Sequence, residues 1–253
     1  MNRRTFLSSL GVAAATAWAA DEHRTRYYTF DRYQLQQGTQ TARVHEWLSK
    51  AILPKMTALN AGPFIVLEAV IAPHTPEVVM IAGFQNFDDI RTVQAKLDSD
   101  PEFQAAAAKI ESGPEPLFQS LTSSVLEATA YSPEIAAQKH DKPRYFEIRQ
   151  YHSPTWSQLR ALHERFAGPE IRVFHKCGIF PILYTSTLIG DNMPNLTYLI
   201  PFDSLGAREK AWDAFAVDPD WIKARKESIG AHGQITIVNQ ISIYRATPYS
   251  PVS

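Results

Sequence analysis

The chain has 253 residues, of which 45% are hydrophobic and 20% charged, values that are typical of a folded protein and exclude a disordered one. Its 25 basic and 26 acidic side chains nearly cancel, which argues against nucleic acid as a partner. A single cysteine, Cys177, excludes an internal disulfide, so the fold must be stabilised by packing.

The start of the chain predicts export. Two arginines stand at positions 3 and 4, and a short apolar run ends in Ala-Trp-Ala at 17–19, which has the form of a signal cleavage site. The run is too short to span a membrane. We predict that residues 1–19 are a twin-arginine export signal, and that the mature protein is periplasmic or secreted and not stably inserted in a membrane. An uncleaved N-terminal anchor is the alternative.

A segment near the start recurs 118 residues later. Arg-Tyr-Tyr-Thr-Phe-Asp-Arg-Tyr at 26–33 corresponds to Arg-Tyr-Phe-Glu-Ile-Arg-Gln-Tyr at 144–151. The same offset relates the dipeptides His-Glu at 45–46 and 163–164, and Asp-Pro at 100–101 and 218–219. One register kept along the chain indicates a tandem duplication. The predicted organisation is a first repeat over 24–133, a linker over 134–143 and a second repeat over 144–253.

The hydrophobic pattern of the first repeat predicts six elements in the order β-α-β-β-α-β, which is the ferredoxin-like plan. They are a strand over Tyr27–Gln34, a helix from Val44 to Leu59 kinked or ended by Pro54, strands over Phe64–Ala72 and Glu77–Phe84, a helix capped by Asp88 that restarts at Asp100-Pro101, and a strand over Thr122–Tyr131.

The second repeat follows the same plan. Its predicted elements are a strand over Tyr145–His152, a helix broken at Gly168-Pro169, strands over Phe180–Ile189 and Leu196–Phe202, a helix from Ser204 that restarts at Asp218-Pro219, and a strand over Ile235–Tyr244.

The hairpin strands of the first repeat are apolar on both faces, most clearly over Phe64–Ile71. A sheet that is apolar on both faces must be covered on both, but two helices cover only one. We therefore predict an α+β fold in which the two ferredoxin-like repeats pack sheet to sheet as an α/β barrel of the dimeric type. Further pairing into a homo-oligomer is compatible with this prediction.

The first strand of each repeat carries polar residues among apolar ones. Phe146 and Ile148 suit the helix layer, so the alternating residues Glu147, Arg149 and Tyr151 should point into the space between the sheets. In the first repeat Thr29, Asp31 and Tyr33 should do the same. An apolar enclosure with a few polar groups is typical of a site for a small, largely apolar molecule. The predicted ligand-binding residues are Glu147, Arg149, Tyr151, Asp31 and Tyr33. The alternative is that Glu147 and Arg149 form a buried structural ion pair.

The duplicated His-Glu dipeptide is the pair of residues in the chain that most suggests a chemical role. Neighbouring residues on a helix diverge by about 100 degrees, so His45-Glu46 and His163-Glu164 cannot converge on one metal, and no metal site is predicted. His163 and His45 are the candidate catalytic residues, as proton-transfer groups. The alternative is a helix-edge histidine hydrogen-bonded to backbone or to a carboxylate.

Three features together resemble the NIPSNAP family: the Tyr-Phe-Glu-Ile-Arg-Gln-Tyr segment at 145–151, a helix that ends around a proline, and Asp-Pro-Asp-Trp at 218–221 with its partner Asp-Pro-Glu-Phe at 100–103. The resemblance covers both repeats and implies the dimeric α/β-barrel superfamily. It implies no agreed reaction and no catalytic residue. The first repeat departs from the pattern, because Thr29 and Asp31 stand where the second has Glu147 and Arg149.

Relatives elsewhere in that superfamily include cofactor-independent monooxygenases and haem-binding enzymes. We therefore expect an exported barrel that binds a small apolar molecule without a cofactor, with oxygenase-like activity as its chemistry. Haem binding is one alternative. The other is a non-catalytic interaction or assembly module that contacts partners through exposed aromatic residues such as Trp156 or Tyr249.

Overall fold

The computed structural model describes residues 24–142 and 144–253, so the predicted export signal over 1–19 lies outside the described residues. The strands of the first repeat are β1 (Tyr27–Gln34), β2 (Phe64–Ile71), β3 (Glu77–Phe84) and β4 (Ser120–Ala128). Those of the second are β5 (Tyr145–His152), β6 (Leu183–Ile189), β7 (Asn195–Phe202) and β8 (Val238–Ala246). Each element of one repeat lies at positions matched to the other by the offset of 118.

The helices pack outside the sheets. In the first repeat they are α1 (Gln40–Trp47), α2 (Leu53–Ala58), α3 (Phe87–Ser99) and α4 (Pro101–Glu111). In the second they are α5 (Trp156–Arg165), α6 (Ile171–Lys176), α7 (Leu205–Val217) and α8 (Pro219–His232). No helix of the described residues is both long and apolar enough to cross a membrane.

The eight strands form one closed barrel in the order β1-β3-β2-β8-β5-β7-β6-β4, and every neighbouring pair is antiparallel. Two joins connect the repeats. Leu67 of β2 lies opposite Ala246 of β8, and Thr185 of β6 lies opposite Ala128 of β4. These two joins involve matched positions, so the barrel has approximate twofold symmetry. The predicted fold class is confirmed.

The interior of the barrel is filled with apolar side chains that come from all eight strands, among them Tyr28, Phe30, Phe146, Ile148 and Tyr244. Phe146 and Ile148 therefore face inward, and the prediction that they face the helices is wrong. Glu147, Arg149 and Tyr151 therefore face the helix layer instead of the space between the sheets. The strand pattern could not decide this, because β5 is buried on both faces and apolar or aromatic side chains alternate onto each.

The first helices of both repeats pass through a π-helical turn at matched positions, Leu48–Ile52 and Phe166–Glu170. Pro54 lies in the first turn of α2, and the chain is helical on both sides of it, so the proline does not end the helix. The predicted break at Gly168-Pro169 is wrong, because the chain stays helical there. A π turn shifts the backbone hydrogen bonds by one residue, so a proline without an N–H can lie in it without ending the helix.

Short polar signals set the starts of the outer helices. The carboxylates of Asp100 and Asp218 each accept hydrogen bonds from two backbone N–H groups and cap α4 and α8. At α3 the cap is Asn86, in a capping box with Asp89, so the prediction of Asp88 is wrong by two residues.

Candidate functional site

A cavity of about 730 Å³ lies in the first repeat, between the outer face of the sheet and the helices. β1, β3 and β4 form its floor, and residues of α1 to α4 form its walls. Its walls are mainly apolar and include Tyr33, Trp47, Met56, Met80, Leu97 and Phe103. Exposed polar side chains of α3 and α4, such as Gln94 and Gln104, form its mouth.

Asp31 is the carboxylate on the floor of this cavity. The Ser123 hydroxyl, on the neighbouring strand β4, donates a hydrogen bond of 2.5 Å to Asp31 Oδ1. Burial raises the pKa of the Asp31 carboxyl, and hydrogen bonds from Ser123 and Thr29 oppose that shift only in part. No Lys, Arg or His of the described residues pairs with this carboxylate. The cavity therefore has an apolar wall and one half-buried acidic group without a cationic partner.

Burial also raises the pKa of the Tyr33 phenol, which lines the same cavity, and the nearby charge of Asp31 raises it further. Tyr33 therefore stays protonated at neutral pH and can donate a hydrogen bond. Its ring packs edge-on against Trp47, with 5.7 Å between the ring centroids. Tyr33 and Asp31 are thus the two predicted ligand residues that reach the cavity.

The matched space in the second repeat is largely filled by bulkier side chains. At six positions that line the first-repeat cavity, the second repeat carries a bulkier aromatic or basic residue. The changes are Met56 to Phe174, Met80 to Tyr198, Ile90 to Arg208, Gln94 to Trp212, Leu97 to Phe215 and Phe103 to Trp221. Most of these aromatic rings pack edge-on or stacked against one another, as Phe174 does with Phe215 and Trp212. The duplication has therefore left a large cavity in the first repeat and a much smaller one in the second.

An ionic cluster completes this filling; we call Glu147, Arg149, Tyr151, Arg208 and Trp212 the Glu147 cluster. The buried Glu147 carboxylate accepts hydrogen bonds from Arg149 Nε, Arg208 Nε and, at 3.2 Å, Trp212 Nε1. The Arg149 guanidinium lies 3.7 Å from the centre of the Trp212 ring and donates to the Tyr151 hydroxyl at 2.7 Å. The buried structural ion pair between Glu147 and Arg149, which was the alternative interpretation of the sequence, is therefore present.

The five predicted ligand residues thus separate into two groups. Asp31 and Tyr33 line the open cavity of the first repeat, whereas Glu147, Arg149 and Tyr151 pack together in the second. The prediction that all five share one space between the sheets is wrong. β1 and β5 do not face each other across the barrel through these side chains, which point outward into different helix layers.

A smaller cavity of about 230 Å³ remains in part of the matched space of the second repeat, where Tyr151, Phe215 and Trp221 occupy the positions of Tyr33, Leu97 and Phe103. Its polar lining includes the buried pair Arg165 and Glu170, with 2.7 Å between Arg165 Nε and Glu170 Oε2. Burial raises the pKa of Glu170 to about 7, although the charge of Arg165 lowers it. The Arg165 guanidinium also lies 4.9 Å from the centre of the Trp221 ring, a contact that favours a structural role for this pair.

His45 and His163 lie at the two seams where one repeat meets the other. The Nδ1 atom of His45 is 2.7 Å from the hydroxyl of Tyr249, and Nδ1 of His163 is 2.7 Å from the hydroxyl of Tyr131. Each tyrosine belongs to the opposite repeat. After β4 the chain passes to the second repeat, where the Thr129 N–H donates a hydrogen bond of 2.9 Å to the Tyr184 carbonyl of β6. The segment after β8 makes the matched contact with β2.

The second nitrogen of each histidine meets a different group. Nε2 of His45 is 3.5 Å from Glu68, and Nε2 of His163 is 2.8 Å from the Ser186 hydroxyl, on the matched position. Glu46 points to solvent and pairs with Lys50, so His and Glu diverge as predicted. Burial lowers the pKa of His163, which keeps it neutral at pH 7. Neither histidine lines either of the two cavities described above.

Sequence reasoning missed Ser123, Arg208, Trp212 and Tyr131, and it assigned Tyr249 to contacts with partners instead of a hydrogen bond to His45. A signal for the first three was available, because a comparison of side-chain volumes at matched positions, such as Gln94 with Trp212, separates an open repeat from a packed one. The tyrosine partners had a weaker signal in the matched Tyr-Ser-Pro at 131–133 and 249–251. Only the crossing of the chain shows which histidine each tyrosine meets.

The described residues contain no group of three or more His, Cys, Asp or Glu placed to hold a metal ion. Haem iron in proteins is held by His, Cys, Met or Tyr. The residues that line the first-repeat cavity include neither His nor Cys. Its candidate ligands would be Tyr33 and the thioethers of Met56 and Met80, with Arg91 as the one basic group for a propionate. The donor set fits haem poorly.

The model of the NIPSNAP family matches residues 146–251. The second repeat is a NIPSNAP domain. Its family segment begins in β5 and ends beyond β8, so it covers the whole ferredoxin-like unit with the Glu147 cluster. No curated protein matches the chain.

Solved structures match nearly the whole barrel. A proposed monooxygenase of Lactobacillus acidophilus is 10% identical, covers 88% of this chain and 94% of its own, and has a TM-score of 0.54. A proposed monooxygenase of Fusobacterium nucleatum is also 10% identical, over 88% and 93%, with a TM-score of 0.55. An anthrone oxidase-like protein is 13% identical, over 89% and 93%, with a TM-score of 0.54. At these identities the similarity establishes the barrel fold alone.

Proposed function

We propose that this NIPSNAP-domain protein binds a small, largely apolar molecule in the cavity of its first repeat. The observation that carries the proposal is the apolar cavity of about 730 Å³ with the Asp31–Ser123 pair on its floor. Sites for small molecules have volumes of roughly 300–1,000 Å³, mostly apolar walls and a few polar groups that orient the ligand. The cavity has each of these properties.

The comparison of the two repeats supports this proposal. Unfilled apolar space lowers the stability of a core, so a cavity of this size is costly to keep. The same fold can fill most of this region, because Tyr198, Trp212 and Phe215 do so at the matched positions and leave a cavity of only about 230 Å³. The larger cavity of the first repeat is therefore a property of its own side chains, as expected if the space serves a ligand.

A fluorescence titration with the neutral apolar probe N-phenylnaphthylamine tests the proposal. The informative variant carries Met80→Tyr and Leu97→Phe, which introduce the matched second-repeat residues into the cavity wall. We expect the probe to bind the unmodified protein and to lose most of its affinity for this variant. Trp156→Ala is the control, because Trp156 is 55% exposed and lies outside the cavity. Equal binding to the filled variant would show that the probe binds elsewhere.

Oxygenase-like activity remains a prediction. His45 and His163, its predicted proton-transfer groups, are held by tyrosines at the seams and lie outside the cavity lining. Asp31 is the acidic group that a bound molecule would meet instead. Oxygen uptake in the presence of ligands identified by the probe-displacement assay tests the activity, and a Soret band after haem reconstitution tests the haem alternative.

The alternative of a non-catalytic interaction module relied on Trp156 and Tyr249 as exposed contacts, and only one of the two is exposed. Trp156 is exposed, but Tyr249 is half-buried and hydrogen-bonded to His45. Every strand of the described barrel has two neighbours, so a second copy is not needed to complete the sheet. Sedimentation of the purified protein tests whether a homo-oligomer forms at all.

We also propose that the protein is exported through its twin arginine and acts outside the cytoplasm. Mass spectrometry of the protein recovered from its native cell envelope should find a chain that begins near Ala20. Replacement of Arg3 and Arg4 by lysine should leave the precursor in the cytoplasm. An intact Met1 in envelope protein would contradict cleavage.

A further inference from the structure

The charges around the first-repeat cavity are unbalanced. Asp31 lies on its floor, and Asp98 and Glu111 lie at its mouth with a single basic residue, Arg91. Three carboxylates therefore face one guanidinium. Since charges of one sign in a cleft attract the opposite sign, this cavity disfavours anionic ligands and favours cationic ones.

The second repeat shows how the same space accommodates a cation. Arg149 occupies the position matched to Asp31, and its guanidinium is held between the Trp212 ring and the Glu147 carboxylate. In the first repeat the cation is replaced by a carboxylate, and no described Lys, Arg or His pairs with it. The first repeat thus contains an acidic group inside an apolar cavity, where the second contains a complete internal ion pair.

The walls of the cavity also suit an organic cation. Tyr33, Trp47, Phe84 and Phe103 place aromatic rings around the space. Aromatic faces attract ammonium groups, and their surfaces bury hydrocarbon. A charge-assisted hydrogen bond to a half-buried carboxylate is stronger than a neutral one and adds direction to this attraction.

We infer that the ligand of the first-repeat cavity is a hydrophobic amine, whose ammonium group bonds to Asp31 while its apolar body packs against the aromatic walls. The inference rests on the proposed function and specifies its ligand class. Ser123 and Thr29 position the Asp31 carboxylate through their hydrogen bonds. A carboxylate can accept about four hydrogen bonds, so the ammonium group can bond to it as well.

Displacement of N-phenylnaphthylamine by three compounds of one skeleton tests the inference: naphthylethylamine, naphthylethanol and naphthylacetate. We expect the amine to bind the unmodified protein at least about tenfold more tightly than the alcohol, because its hydrogen bond to Asp31 is charge-assisted. The acid should bind most weakly. In Asp31→Asn the amine should lose this advantage while the alcohol keeps its affinity, which also reports that the cavity is intact.

Asp213→Asn is the matched control, since Asp213 is exposed on α7 and lies outside the cavity. An amine that binds no better than the alcohol would overturn the inference and leave the proposed function standing. The same conclusion follows if the preference survives in Asp31→Asn, or if the probe binds and none of the three compounds displaces it. Failure of the probe itself to bind would overturn both. If Asp31→Asn does not fold, the comparison on the unmodified protein decides alone.

Discussion

The Glu147 cluster offers a sharp test, because the same position has opposite surroundings in the two repeats. Arg149→Ala removes a guanidinium that pairs with buried Glu147, stacks on Trp212 and donates to Tyr151. Breaking a buried ion pair costs about 3–5 kcal/mol. Glu147 keeps Arg208 and the Trp212 N–H, so we expect the lower end, about 3 kcal/mol.

The matched substitution in the first repeat, Asp31→Ala, should behave differently. Asp31 is half-buried, bonds mainly to Ser123 and has no cation to leave unpaired among the described residues. Its loss should cost about 1 kcal/mol or less. For a chain of this length each kcal/mol corresponds to about 2–4 °C in melting temperature, so Arg149→Ala should lower it by about 6–12 °C.

Urea unfolding of the two variants beside the unmodified protein measures both costs. The slope of the transition reports whether a change in midpoint is a change in stability. Equal losses of unfolding free energy in Arg149→Ala and Asp31→Ala would refute the conclusion that an ionic cluster occupies this space in the second repeat but not in the first. A larger loss in Asp31→Ala would reverse the assignment.

Three further predictions concern the interior and the seams. Phe146→Ala should cost about 3–5 kcal/mol in urea unfolding, since Phe146 fills the barrel; a cost below about 1 kcal/mol would place it on the surface. Tyr131→Phe and Tyr249→Phe should each lose about 1 kcal/mol, because each removes one seam hydrogen bond; no loss in either would make these bonds incidental. The lowered pKa of His163 means that the unfolded chain binds a proton more readily. Stability should therefore fall as pH drops below about 6.5, and His163→Gln should reduce that fall in thermal melts; an unchanged pH dependence would contradict the assignment.

Much of the fold could be predicted because local patterns and the duplication point the same way. The strands Tyr27–Gln34, Glu77–Phe84 and Tyr145–His152 have the predicted bounds, and both helices restart at Asp-Pro as predicted. The final strands were less accurate. The predicted strands over Thr122–Tyr131 and Ile235–Tyr244 are found at Ser120–Ala128 and Val238–Ala246, because their ends are set by pairing with the other repeat.

The candidate site was harder to predict, for a physical reason. Alternation along β5 identifies two sets of side chains but not which set faces the barrel, since both faces are covered. The local sequence is equally compatible with Phe146 packing against the helices and with Phe146 filling the barrel. The openness of one repeat depends on the summed volumes of side chains from four helices and three strands, and the seam contacts of His45 and His163 depend on how the chain crosses between repeats.

A crystal structure of the mature protein with bound N-phenylnaphthylamine tests the central claim most directly. We expect one probe per chain, enclosed between β1, β3 and the helices α3 and α4, with its polar edge towards Asp31. The matched space in the second repeat should hold no probe, because Trp212, Tyr198 and Phe215 fill most of it and leave only about 230 Å³. A probe inside the barrel, in the second repeat, or in both repeats equally would contradict the account.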